Sequence, residues 1–369
     1  MQQPAPAPSL PDGIRARFVD NGNGLSMHLL EAGDAGRPLV ILLHGFPELA
    51  YSWRKLMLPL AAAGYHVVAP DQRGYGRTTG WDADYDGDVA SFRLLNLVRD
   101  TIGLVDALGA NQVACIVGHD FGASVAGNCA LIRPDIFRAL CLMTPFAGAP
   151  PLKKPAPASD IHADLASLAR PRKHYHWYYS TREANDDMWH APQGMHDFLR
   201  AYFHAKSADW ANNHPHKLAG WTATDLAKMP TYYIMDLDQG MAATVAQEMP
   251  SAEVIAACTW LRDDELAFYA ATYSATGFQG GLHWYRCRTG PWNADLEVFA
   301  GRTIDVPSCF IGGAADWGVF QMPGAFEKMQ SSVCTDMRFV DLLDGAGHWV
   351  QQEKTVEVMH LLLRFLRTL

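Results

Sequence analysis

The pentapeptide Gly118-His119-Asp120-Phe121-Gly122 sets a carboxylate between two glycines, just after an apolar run and ahead of a helix-forming stretch. Glycines at that spacing permit a tight strand-to-helix turn that lifts the central side chain above a sheet edge, a nucleophile elbow with Asp where Ser is usual. Taken alone, the pentapeptide reads equally well as a glycine-rich turn whose Asp caps a helix. Two later residues change that balance: Asp316 in Gly312-Gly313-Ala314-Ala315-Asp316, and His348 in Gly345-Ala346-Gly347-His348-Trp349. Both lie beside apolar runs of strand character, and a histidine oriented by a carboxylate can serve as a general base. His44-Gly45-Phe46-Pro47-Glu48 supplies a fourth strand-end turn, where the N–H of Phe46 can converge with that of Phe121 as an oxyanion hole.

An aspartate nucleophile restricts the chemistry. Its attack on an ester or amide carbonyl would give an anhydride, a poor intermediate. Attack on an sp³ carbon bearing a leaving oxygen or halide gives a stable alkyl ester instead. Water activated by His348 then cleaves that ester at its carbonyl carbon, which is the step an oxyanion hole serves. The two leaving groups make different demands. An epoxide oxygen leaves as an alkoxide and needs an acid, for which a phenol is suited, whereas a halide needs only donors such as an indole N–H.

Short apolar runs must position these residues. Pro38 to Leu43, His66 to Pro70, Val113 to Val117, Ala139 to Met143, Val306 to Ile311 and Met337 to Leu343 read as strands buried on both faces. Helical spacing runs through Ser91 to Leu108, from Ala123 onwards, and from Thr355 to Leu369. Strands alternating with helices predict an α/β fold, a mostly parallel central sheet with helices on both faces. Between the two sets of strands, a Pro-rich connector (Gly148 to Ala158) opens a stretch rich in Trp, His and Met without β-alternation, which reads as a helical insertion. The expected organisation is an N-terminal arm over 1–14, core over 15–147, helical cap over 148–290 and core again over 291–369.

Composition narrows the class. Hydrophobic residues make up 49% and charged residues 19%, enough to bury a sizeable core. A net charge of -9 excludes a generally basic, nucleic-acid-tracking surface, and no apolar run approaches a membrane span. Seven cysteines without a Cys-x-x-Cys pair are expected to be reduced thiols in a cytoplasmic protein. His174 and His176, or His214 and His216, lack a third ligand for a metal, and the Asp236 to Gly240 run lacks the Gly and Glu of a calcium loop at Met241 and Gln247. No metal or other cofactor is expected.

The order Asp120, Asp316, His348 is that of the α/β-hydrolase triad. More specifically, the chain resembles the α/β-hydrolase-fold epoxide hydrolases of the soluble type. The resemblance rests on the turns at His44 and Gly118 and on Ala69-Pro70-Asp71-Gln72-Arg73-Gly74-Tyr75-Gly76. It extends into the cap through Trp260-Leu261-Arg262-Asp263-Asp264-Glu265-Leu266-Ala267-Phe268-Tyr269 and Gly277-Phe278-Gln279-Gly280-Gly281-Leu282-His283-Trp284-Tyr285-Arg286. It covers most of the chain from about residue 15. It implies that Tyr285 and Tyr175 assist ring opening, with Tyr178 and Tyr179 as alternatives to Tyr175. The expected activity is hydrolysis of an apolar epoxide to a vicinal diol, with epoxide and water as the only partners and the oligomeric state left open. Phe121 replaces the family's usual Trp, which leaves its backbone N–H unaffected. His176-Trp177 is also similar to the cap of fluoroacetate dehalogenases, but Phe121 to Ser124 stand where those relatives carry arginines. A haloalkane or haloacid dehalogenase and a non-catalytic hydrolase-like binding protein are the alternatives. Glu48 reads as an exposed loop carboxylate and is a candidate for positioning water, Arg73 for a structural ion pair, and His44, Trp177, Phe278, Trp284 and Trp349 for lining an apolar pocket; Trp189 is read as packing.

Overall fold

The computed structural model describes residues 5–153 and 159–369. Residues 1–4 of the expected arm and 154–158 of the expected connector lie outside the described residues. Eight strands form one sheet: β1 (Arg15–Asp20), β2 (Ser26–Ala32), β3 (Leu39–Leu43), β4 (His66–Pro70), β5 (Cys115–Gly118), β6 (Leu140–Leu142), and, beyond the separate pair β7 (Arg172–His174) and β8 (Ile234–Asp236), β9 (Ser308–Gly313) and β10 (Met337–Leu343). Their spatial order is β1-β2-β4-β3-β5-β6-β9-β10. The first two neighbour pairs are antiparallel and the other five parallel.

The period of two along a strand divides the core between the two faces of this sheet. Val40 and Leu42 of β3 join one apolar cluster with Trp53, Leu362 and Phe365, while Leu39, Ile41 and Leu43 join the other. Helices α1 (Arg54–Ala62) and α9 (Thr355–Leu366) cover the first face. Helices α2 (Leu94–Ala107) and α3 (Phe121–Ile132) cover the second. The strands expected from the apolar runs are all present, within two residues of their expected ends.

Two departures have physical causes. Strands β1 and β2 went unexpected because β1, at the sheet edge, is exposed except at Val19 and carries charge instead of an alternating pattern. Glu31 of β2 is buried, accepting from Arg17 at 2.8 Å and facing His66 at 2.6 Å. The second departure lies within the stretch expected to be helical. It holds α4 (Tyr175–Tyr178), α5 (Met195–Lys206), α6 (Asp263–Thr276) and α7 (Gln279–Thr289), but also the antiparallel pair β7–β8. At three residues each, these strands are too short for alternation to register. A last short helix, α8 (Val350–Glu353), follows His348. Among the described residues no helix is long and apolar enough to cross a membrane, and all seven cysteines are free thiols.

Core and inserted helices are joined by charge as well as by apolar packing. Arg54 of α1 meets Glu265 of α6 at 2.6 Å, with both side chains 4% exposed, and Lys55 reaches the same carboxylate at 3.3 Å. Removing one partner of a buried pair leaves the other charge uncompensated. Glu265→Gln is therefore expected to cost about 3 kcal/mol, read as a lower urea midpoint with an unchanged slope. Arg54→Met should cost less, because Lys55 remains on Glu265.

Candidate active site

Asp120 stands between the end of β5 and the start of α3 with φ of 50°, the only non-glycine residue of positive φ among those described. The flanking glycines make this turn sterically feasible. A Cβ on Gly122 would overlap the carbonyls of Leu43 and His44, and one on Gly118 would overlap the carbonyl of Gly122. The strained backbone is held by hydrogen bonds. The Asp120 N–H donates to Thr144 Oγ1 at 3.0 Å, and the Phe46 N–H donates to Asp120 Oδ1 at 3.0 Å. Phe121 opens α3, where a backbone N–H has no intrahelical acceptor. Of the two N–H groups expected to form an oxyanion hole, that of Phe46 meets the carboxylate here.

His348 approaches the other carboxylate oxygen, its Nε2 lying 3.5 Å from Asp120 Oδ2. Its Nδ1 faces both oxygens of Asp316 at 3.1 Å, and Asp316 also accepts from the Gly318 N–H at 2.6 Å. Burial opposes ionisation of Asp120, but the hydrogen bond and charge of His348, then the charge of Lys206, outweigh it and hold the carboxyl far below the usual carboxylate range. Asp316 is lowered on the same balance, burial against the charge and hydrogen bond of His348. For His348 itself, burial and Lys206 push the imidazole down, but the two aspartates raise it above 6.5.

The cavity beside Asp120 is lined by both Tyr175 of α4 and Tyr285 of α7. The other two candidate tyrosines are engaged elsewhere: Tyr178 donates to Asp187 at 2.5 Å, and Tyr179 to the Tyr202 hydroxyl at 3.2 Å. Tyr175 donates to Gln321 at 3.1 Å, while the Tyr285 ring packs edge-on against Phe121 at 5.0 Å. Burial, then the charge of Asp120, pushes both phenols well above their usual pKa, so both remain proton donors.

Other expectations are corrected. Glu48 is fully buried and not an exposed loop carboxylate; it binds His119 Nδ1 at 2.6 Å and accepts from Gln351 at 2.8 Å and Gln352 at 2.9 Å. His119 Nε2 in turn meets the His348 carbonyl at 2.7 Å. Glu48 supports the backbone of His348 from behind. None of His44, Trp177, Phe278, Trp284 and Trp349 lines the cavity. His44 bonds the Gly45 carbonyl and accepts from Gln72 N–H; Phe278 stacks on Tyr273 at 4.3 Å; Trp177 packs on His162 at 4.0 Å. The indoles of Trp284 and Trp349 donate to the carbonyls of Arg73 and Phe203. The wall is instead mixed, with Ser124, Thr144, His176, Gln321 and Arg288 beside Phe121, Val319 and Met322. Arg73 does form an ion pair, with Asp100 at 2.7 Å.

Two residues give no hint of their place in the sequence. Lys206, at the end of α5, reads as an ordinary basic residue closing a helix. Its ammonium is buried 5.3 to 5.5 Å from the ring centres of Tyr202, Tyr233 and Trp349, and its carbonyl accepts the His348 N–H at 2.8 Å. Glu353 accepts from the N–H groups of Ala208, Gly347 and Trp349 at 2.8 to 2.9 Å, pinning the chain after α5 to the His348 loop. Burial pushes the Glu353 carboxyl up to about 7 against those three donors.

Residues 38–355 match the family described as the alpha/beta hydrolase fold. The chain is 35% identical over 356 residues to epoxide hydrolase A of Mycobacterium tuberculosis, covering 95% of this chain and 96% of that protein. It is 32% identical to an epoxide hydrolase of Caballeronia sordidicola, covering 94% and 92%. Among solved structures it is similar to an epoxide hydrolase from an endophytic Streptomyces, with a TM-score of 0.76 at 30% identity over 97% of this chain and 96% of that one. It is also similar to potato (Solanum tuberosum) epoxide hydrolase I, with a TM-score of 0.73 at 30% identity over 96% and 100%.

The charge of Lys206 predicts its own test. Lys206→Met removes a cation that disfavours imidazolium, so the pKa of His348 is expected to rise. An NMR titration of the His348 ring, assigned by its loss in His348→Gln, measures the shift; a fall would contradict the electrostatics.

Proposed function

This chain belongs to the α/β-hydrolase fold family and to its epoxide hydrolases, and from that premise we propose that it hydrolyses an epoxide to a vicinal diol through an ester on Asp120. One observation carries the reading: a single carboxylate meets Phe46 N–H and His348 on one side and shares a cavity with two protonated phenols on the other. Asp120 attacks a ring carbon, and the C–O bond breaks as Tyr175 and Tyr285 donate to the departing oxygen. Tyr175 exchanges Gln321 for that oxygen, which keeps its hydroxyl oriented beforehand.

The second half of the reaction belongs to His348. It takes a proton from water as the water adds to the ester carbonyl of Asp120. Phe46 and Phe121 N–H groups stabilise the charge that develops on the carboxyl oxygen. Asp316 holds the ring through Nδ1 and stabilises the imidazolium that forms. Collapse expels the second diol oxygen, which takes the proton held by His348, and the proton left on the Asp120 carboxyl replaces the one the phenols gave up, so that the diol leaves and carboxylate, imidazole and phenols are restored. The segment over 148–290 acts as the lid that brings the phenols to the core, between core segments over 15–147 and 291–369. Its substrate is a small epoxide, water is the co-substrate, and the protein works in the cytoplasm.

His348→Gln is expected to stop the cycle at the ester, so intact-protein mass spectrometry should show one added epoxide mass on a peptide containing Asp120. Adducts from alkyl halides but from no epoxide would overturn the reading in favour of a dehalogenase. Tyr285→Phe should lower kcat/KM for epoxides by about a hundredfold, the usual contribution of a positioned acid, while barely affecting alkyl halides.

The pH dependence follows from the His348 shift. In the free enzyme its pKa lies above 6.5, so kcat/KM should fall as pH drops through that raised value, because protonated His348 binds the Asp120 carboxylate and blunts it. In the alkyl-enzyme the Asp120 charge has become an ester and one raising influence is gone. The acid limb of kcat should therefore lie at lower pH than that of kcat/KM, which steady-state profiles on one substrate will test.

A further inference from the structure

Arg288 lines the same cavity as Asp120 and the two tyrosines, and among the described residues it is the only Arg or Lys on that wall. It lies three residues after Tyr285 on α7, and residues three apart share a helix face. Ser124 lies four residues after Asp120 on α3 and lines the cavity too. Ser124 and Arg288 thus line the cavity about one helical turn along the chain from Asp120 and Tyr285, a rise of about 5.4 Å.

The guanidinium is not used by the fold. Among the described residues it has no carboxylate partner; Nη2 rests on Met322 Sδ at 3.1 Å, a weak acceptor, and Cζ lies 5.8 Å from the Phe121 ring centre. Arg286, two residues earlier, is by contrast consumed by structure, donating to the Tyr85 carbonyl and stacking 3.7 Å over the Tyr85 ring. His176 is buried on the same wall, and no hydrogen bond ties its ring to the described residues. Burial, then the charges of Arg288 and His174, holds that imidazole neutral, so it offers a hydrogen bond without a second charge. The negative charge of Asp120 is already matched by His348 and the Phe46 N–H, which leaves Arg288 free to act on an incoming anion.

We propose that Arg288, with Ser124 and His176, forms an anion subsite in the Asp120 cavity, and that the preferred substrates are epoxides bearing a carboxylate a few bonds from the ring. The subsite deepens the hydrolase reading and rests on it for the identity of the reacting group. A guanidinium and a hydroxyl can take the two oxygens of one carboxylate, and the neutral imidazole closes the third side. The fixed distance between subsite and nucleophile also selects which ring carbon faces Asp120.

The test compares 4,5-epoxypentanoate with 1,2-epoxy-5-methylhexane, in which an isopropyl group replaces the carboxylate, on wild type, Arg288→Gln and Arg288→Lys. The expected result is a roughly tenfold loss in the acid-to-neutral ratio of kcat/KM in Arg288→Gln, the size of one charged hydrogen bond. The loss should be carried by KM of the acid and partly restored in Arg288→Lys. An equal change on both epoxides, or no change in the ratio, overturns the proposal. Quenching of tryptophan fluorescence by pentanoate and by pentanamide gives a readout independent of turnover. Pentanoate binding that weakens in Arg288→Gln, with neither epoxide hydrolysed, would keep the subsite and reject the hydrolase reading. Epoxide turnover with pentanoate binding insensitive to Arg288 would do the reverse.

Discussion

Asp120 must remain ionised while buried, on a backbone conformation that L-residues avoid, and much of the surrounding structure serves that one requirement. A positive φ at a non-glycine residue costs about 1 to 3 kcal/mol and persists only where the surroundings over-determine it. Here they do so from four elements. Gly118 and Gly122 remove the Cβ atoms that would block the turn, Thr144 from the end of β6 takes the Asp120 N–H, and Phe46 from the end of β3 gives its N–H to the carboxylate. Gly45 completes the set, since a Cβ there would occupy the space of the Asp120 side chain itself. The parallel strand order makes this convergence possible by bringing the ends of β3, β5, β6 and β9 to one edge of the sheet.

The same requirement explains how His348 is held. It comes from the far end of the chain, on a loop that two carboxylates grip from different directions. Glu48 acts through His119 on the His348 carbonyl, and Glu353 collects the N–H groups on either side of His348 together with that of Ala208. Lys206 adds a hydrogen bond from its carbonyl and a cation caged by three rings. The segment between β6 and β9 is thus fastened to the His348 loop at the end of α5, and to α1 through Arg54 and Glu265.

Much of the core was legible in the sequence because it obeys simple periods. Parallel strands buried on both faces must be continuously apolar, so β3, β4, β5, β6 and β9 declare themselves; β10 was expected to be buried too, but it lies at the sheet edge and none of its residues is fully buried. Glycines at the β5–α3 turn then identify the elbow. β1 did not declare itself, because an exposed edge strand carries charge where a pattern would otherwise be. In the cap, aromatic residues are too numerous for type alone to separate wall from packing. Trp177, Phe278 and Trp284 looked like pocket residues by their neighbours in sequence, yet each spends its ring or its indole N–H on the scaffold. Glu48 read as an exposed carboxylate because its partners, His119, Gln351 and Gln352, lie 71 residues and more away along the chain.

The sequence by itself singled out Asp120, Asp316 and His348 at strand ends, and the fold brings these three side chains together. Tertiary structure alone decided which tyrosine of the Tyr175, Tyr178 and Tyr179 group faces Asp120. Within a single turn of helix those hydroxyls point in different directions, and only the packed neighbours, Gln321, Asp187 and Tyr202, show where each one ends. Tertiary structure also decided that the wall is mixed, with Arg288 on it lacking a carboxylate partner among the described residues, because pairing is a property of what surrounds a residue and not of the residue.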